Sequence, residues 1–171
     1  CRLKGTPDNY PALNGRDFVY LDDRMLFALS EENDIGTNSE GFRWMRNTFA
    51  FHDVMAVTLR NGLRYLGQAI SVPRPGLAIV CMDGIVALPS FMKEWDIIEI
   101  SLDEAKAFAA DGLSIDEKEY VIGVSEENDN SRIVAELEKR GIKVHKIPFA
   151  AHMSLGGSVR SAVLPLRRDV E

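Results

Sequence analysis

The sequence predicts an α/β fold built from three successive units of hairpin or strand, helix, and strand. Three observations predict it. The pentapeptide Ser-Glu-Glu-Asn-Asp occurs twice, at Ser30–Asp34 and Ser125–Asp129, each time after a β-rich run, "FVYLDDRMLFAL" and "YVIGV". Downstream of the second copy an amphipathic, capped stretch leads into the alternating run "IKVHKIPF". A middle segment, "LAIVCMDGIVALP" followed by "DIIEI" and "SLDEAKAFAADG", repeats the same grammar.

The first unit covers about residues 13–73. Its hairpin turns at Asp22-Asp23, and residues 39–67 read as a long insertion of two helices. The second, residues 74–115, opens with two strands around a Met82-Asp83-Gly84 turn. A strand over "DIIEI" follows, then a helix whose capping box is Ser101 and Glu104 and which stops at Gly112. The third, residues 116–169, runs from the strand "YVIGV" into a helix capped by Asp129, Asn130 or Ser131. Ile133, Val134 and Leu137 form its apolar stripe, and Gly141 is its left-handed stop. In the strand after it, Ile142 and Val144 alternate with Lys143 and His145. The acidic pentapeptides suit strand-to-helix loops, where the helix dipole favours negative charge. They lack the glycine and the spacing of a calcium loop.

At 171 residues the chain has room for one domain with a substantial core. Its 46% hydrophobic and 27% charged residues are those of an ordinary globular protein. A net charge of −6 argues against nucleic acid as a partner. No run is apolar enough for a membrane span, and residues 1–16 have neither a basic n-region nor an apolar h-region. Cys1 and Cys81 are too few for a disulfide framework, there is no zinc spacing, and a reducing cytoplasm is the expected compartment. Cys81, inside an apolar run, is expected to be buried.

The segment richest in chemistry is "AAHMSLGGSVRSAVLPLRRD". Gly156 and Gly157 permit close approach, and Ser161 stands at the mouth of the following apolar run. "GGSVRSAVLPLRR" is similar to the Gly-Gly-x-x-x-Cys-x-x-x-x-Leu ending of the pentein superfamily of guanidino-group modifying enzymes. That superfamily comprises arginine deiminases, dimethylarginine dimethylaminohydrolases, agmatine deiminases and amidinotransferases. "NGRDFVYLDDRMLFAL" resembles its Glu-Gly-Gly-Asp motif followed by strand, turn and strand, and the likeness runs over residues 13–169.

The resemblance implies a propeller of about five ββαβ modules, of which about three are present here. It implies covalent chemistry on a guanidine such as arginine, hydrolytic or amidino-transferring, with no metal and no organic cofactor. Ser161 falls on the nucleophilic Cys, as a native residue or an introduced one, and a hydroxyl lacks the low pKa of a thiol. Asp17 falls on the guanidinium-binding Asp, although it reads equally as an acidic turn residue, and Asn14 stands where the family has Glu. Arg74 and Gly76 fall on the His-x-Asp positions, so the family's imidazole is missing there. Among His52, His145 and His152, only His152 lies near the glycines, as a catalytic candidate or an ordinary loop histidine. Gly156 and Gly157 would line the substrate loop. Glu32 replaces an Arg that binds substrate carboxylates, a reversal that favours agmatine over arginine. Arg160, Arg167 and Arg168 read as a solvated basic end, with anion contacts as the other option.

These losses make an inactive guanidino-modifying homologue the expected function, with a silent pentein that binds a ligand or protein as the alternative. A structural pentein, like the ribosome-binding translation factor of this fold, is a third reading. With about three modules present and no Met ahead of Cys1, either a preceding segment or a homo-oligomer is expected to cover the open sheet edges.

Overall fold

The computed structural model describes residues 10–21, 24–29 and 36–163. Three sheets follow one another along the chain, each of three strands with one antiparallel and one parallel pairing. In the first, β1 (Phe18–Leu21) pairs antiparallel with β2 (Arg24–Leu29), helix α1 (Ser39–Thr48) crosses over, and β3 (Asp53–Thr58) returns parallel to β2. A short helix α2 (Leu66–Ala69) leads into β4 (Ile70–Arg74), antiparallel to β5 (Leu77–Val80), with β6 (Asp96–Glu99) parallel to β5. Helix α3 (Leu102–Lys106) precedes β7 (Leu113–Ser114) and β8 (Glu119–Val124); helix α4 (Ser131–Lys139) then carries the chain to β9 (Lys143–Pro148), parallel to β8. Two short helices follow, α5 (Ala150–Ser154) and α6 (Val159–Ala162).

Several sequence expectations are met in detail. Ser101 and Glu104 form the capping box, and Gly141 has φ +77° behind α4. The stripe Ile133, Val134 and Leu137 is buried, and so is Cys81, whose thiol burial pushes up.

Others need correction. Residues 39–67 do not form a two-helix insertion: α1 is the crossover of the first sheet, and Asp53–Thr58 is its third strand. The hairpin expected about Met82–Gly84 is absent. Those residues make a 3-10 turn, and Ile85 only bridges to Leu59. The hairpin instead turns at Pro75-Gly76, between β4 and β5. Pro73 and Pro75 hide it in the sequence, because prolines inside a run argue against a strand. Gly76, at φ +79°, supplies the turn geometry.

A shared apolar core joins the sheets, with Leu26 and Ala28 from the first, Ile70, Ile79 and Ile98 from the second, and Tyr120 and Ile122 from the third. Burying such side chains contributes about 1.5–3 kcal/mol each. Helix α4 is also tied to helix α3 and to β6 of the second sheet by ion pairs. Arg132 contacts both oxygens of Glu104, and Arg140 contacts both oxygens of Asp96 as well as Glu136. Arg140 holds Asp96 below its ordinary range, and Lys139 with Arg140 pulls Glu136 down to about 2. A depressed carboxylate stabilises the fold above its unfolded pKa and loses that contribution as pH falls through the folded value. The Tm deficit of Arg140→Met against the parent chain is therefore expected to be flat at neutral pH and to close between about pH 4 and pH 2. Melting curves across that range check it; a deficit independent of pH would contradict it.

Candidate functional site

The cavity of interest is a small one, about 230 Å³, lined by Gly15, Arg16, Asp111, Arg160, Ser161 and Val163. A larger depression of about 430 Å³ lies along α1 beside Phe42, Arg43 and Arg46, on residues of that one helix alone.

One wall comes from the 3-10 turn Gly15–Asp17. Asn14 caps it, its side-chain oxygen accepting the Arg16 N–H at 3.0 Å while its own N–H donates to Thr37 Oγ1. Arg16 then lies flat over the Tyr65 ring, 3.6 Å from its centroid, and donates to the Gly156 carbonyl. The Tyr65 hydroxyl donates to the same oxygen at 2.7 Å. Arg16 Nε is buried with no acceptor among the described residues.

The opposite wall is Arg160 and Ser161, positioned by the turn through Gly156 and Gly157 that precedes them. Gly156 has φ +91°. A Cβ at Gly157 would sit 2.4 Å from Ser161 Oγ and 2.6 Å from Arg16 Nη2, so only glycine lets these groups converge. The Ser158 N–H donates to Asp111 Oδ2 (2.7 Å) and to Ser161 Oγ (2.9 Å). Ser161 Oγ is 2.9 Å from both Asp111 Oδ2 and the Ser158 carbonyl, and has one proton to give between them.

Asp111 is the floor. It is buried beneath Gly67, where a Cβ would come within 2.6 Å of Oδ1. Burial pushes its carboxyl up, while Arg160, the Ser158 N–H, Ser161 and Arg16 pull it down. Arg160 crosses the junction of the sheets. Its backbone N–H donates to the Asp111 carbonyl, and its guanidinium donates to Ile70 O (3.3 Å) and Phe18 O (2.6 Å). It is a half-buried bridge between β1 and β4, where the sequence suggests a solvated basic end.

The other expected site residues scatter. Asp17 is fully buried and lies outside the cavity lining. It accepts the Thr37 N–H at 2.8 Å and the Leu66 N–H at 3.4 Å, and burial pushes it up. Asn14 is a cap. Arg74 sits at the Pro75-Gly76 turn, at the far end of β4. The residue leading into β4 that reaches the site is Tyr65. Because α2 brings the chain to the strand two residues before Val72, an alignment anchored on "VPRPG" passes over it. His152 is exposed on α5 and packs on Phe149, with a ring-centroid distance of 5.1 Å. His52 packs on Tyr20 and Phe49, and His145 pairs with Glu119. No imidazole lines the cavity. Ser161 lies in the short helix α6. Glu32, with Ser30–Asp34, and Arg167 and Arg168 lie outside the described residues.

Sequence reading passes over Arg16, Tyr65 and Asp111. Arg16 stands between two residues singled out by motif, and that adjacency is its only sequence signal; Asp111 reads as part of a helix stop. Among the described residues no group of three metal-ligating side chains occurs, and no helix is long and apolar enough to cross a membrane.

No protein-family profile and no curated protein matches the sequence. Solved structures match the fold. The amidinotransferase of the saxitoxin biosynthetic pathway of Microseira wollei is similar with TM-score 0.77 at 20% identity, over 94% of this chain and 49% of its own. The inosamine-phosphate amidinotransferase of Streptomyces griseus gives 0.78 at 18% identity, over 96% and 49%. A Cys-to-Ser variant of the dimethylarginine dimethylaminohydrolase of Pseudomonas aeruginosa, complexed with citrulline, gives 0.69 at 18% identity, over 85% and 52%. The chain spans about half the length of these structures.

Proposed function

We propose that this chain, a pentein by fold, is a catalytically silent homologue of the guanidino-group modifying enzymes that binds a small guanidino compound without turning it over. One observation carries the proposal: the side chain at the expected nucleophile position is the Ser161 hydroxyl, bonded to Asp111 and Ser158 with no imidazole in the cavity. Attack on a guanidinium carbon needs a nucleophile deprotonated at the moment of bond formation, and departure of an amine needs a proton donor. A thiol approaches the first requirement by itself; a hydroxyl does not. Among the described residues Asp111 is the one candidate base within reach, and its Oδ2 is already shared between the Ser158 N–H and the Ser161 hydroxyl. A carboxyl pushed up by burial still lies far below a serine hydroxyl in basicity.

Losing the acid–base group costs about 10²–10⁴ in rate, and losing the nucleophile costs more. The 2.9 Å contact between Ser161 and Asp111 also supports a second reading, in which the pair is a weak active dyad. Assay of a guanidine panel with the parent chain and with Ser161→Cys separates the two readings. The silent reading expects no product from either. A reducing cytoplasm, and a further segment or copy of the chain covering the open sheet edges, complete the proposal.

A further inference from the structure

We infer that the cavity beside Ser161 receives its ligand acid-first, holding a carboxylate of the small molecule between Arg16 and Arg160. The inference rests on the reading of this cavity as a ligand site without turnover, and it specifies the chemistry of that ligand.

Charge decides the orientation. Two guanidinium groups and one carboxyl line the cavity. The carboxyl, on Asp111, is already saturated at Oδ2 by the Ser158 N–H and the Ser161 hydroxyl, and its Oδ1 is turned under Gly67. Asp17, the other acid of this region, is spent on the Thr37 and Leu66 N–H groups and lies outside the lining. The cations keep capacity. Of the five N–H donors of each guanidinium, Arg160 uses two on Phe18 O and Ile70 O, and Arg16 uses one on Gly156 O. Arg16 Nε has no acceptor, an unpaired buried donor of the kind folded proteins normally satisfy. A guanidinium ligand in this volume would face two like charges at short range, whereas a carboxylate would meet two complementary ones. At about 230 Å³ the cavity suits a small acid group better than a drug-sized molecule. The preference runs opposite to the one Glu32 suggests in the sequence.

The test is calorimetric titration of the whole chain, at low ionic strength, with guanidinoacetate, arginine, agmatine and inorganic phosphate. Guanidinoacetate and arginine are expected to bind, and agmatine, which has the guanidine without the acid, to bind at least about tenfold more weakly. A charge-assisted hydrogen bond is worth about 10-fold to 100-fold in affinity. Arg16→Gln is expected to lose that much for both acids, with Arg16→Lys recovering part of it. Gly157→Ala, whose methyl group intrudes on Ser161 Oγ and Arg16 Nη2, is a second variant expected to lose acid binding should Arg16→Gln fold poorly. Agmatine binding as tightly as the acids, no binding of either acid, or undiminished acid binding in a folded Arg16→Gln chain would each overturn the inference. Phosphate binding tighter than guanidinoacetate would overturn the assignment to a carboxylate. Product from any compound would overturn the silent reading instead, so the two failures remain distinct.

Discussion

Arg160→Met is expected to destabilise the chain by about 3–5 kcal/mol, the largest loss from any single side chain in the site. The guanidinium makes two charge-assisted hydrogen bonds to backbone carbonyls, Phe18 O on β1 and Ile70 O on β4. Such bonds are worth about 1.5–3 kcal/mol each. Both carbonyls are left without that donor in the variant, and Asp111 loses the nearby cation that most strongly favours its ionised form. The pH dependence identifies the cause. Asp111 is already pushed up by burial, and removing Arg160 raises it further. A carboxyl raised in the folded state stabilises fully below its unfolded pKa, and that contribution is lost as pH rises through the folded value. The deficit of Arg160→Met is therefore expected to grow from acidic to neutral pH. Urea unfolding at pH 5 and pH 7 measures it, and a deficit under about 1 kcal/mol at both would show that Arg160 is the solvated residue its sequence position suggests.

Tyr120→Ala is the second large effect, about 3–5 kcal/mol, as expected for emptying a fully buried aromatic site. The ring lies at the meeting of β8 with β4, and its hydroxyl is 2.8 Å from Ser71 Oγ. Burial pushes the phenol up to about 12. Gly112 makes room for the ring: a Cβ there would come within 2.4–2.5 Å of three of its atoms. Tyr120→Phe keeps the packing and removes the hydrogen bond, for a loss of about 1 kcal/mol. Equal losses in the two variants would place the stabilisation in the hydroxyl and contradict the packing argument.

Local chemistry was legible in the sequence. The capping box at Ser101 and Glu104, the glycine stop at Gly141, and the strands on either side of the second acidic pentapeptide each follow from residues within a few positions of one another. The return strand Asp53–Thr58 was not, because its pairing with β2 lies across α1 and nothing local marks it as parallel. The site fared worse for the same reason. Ser161 and Asp111 are 50 residues apart, Tyr65 and Gly156 are 91 apart, and Arg160 reaches Phe18 across 142. Motif resemblance drew attention to Ser161, which lines the cavity, and to Gly156 and Gly157, which lie outside its lining. It could not supply Asp111, whose place on the cavity floor depends on the bare backbone of Gly67. It also assigned Asp17 a ligand, whereas the structure shows that carboxylate used on two backbone N–H groups.

The most direct test of catalytic silence is a product assay on arginine, agmatine, methylated arginines, and arginine with an amine acceptor, run with the parent chain and with Ser161→Cys. Ammonia, methylamines, ornithine, citrulline and transferred amidino groups are measured. The absence of an imidazole from the cavity predicts that neither chain forms product, even where a ligand binds. Turnover by Ser161→Cys but not by the parent would show that the rest of the pocket is competent and that one side chain alone accounts for the silence; turnover by the parent chain would contradict silence altogether.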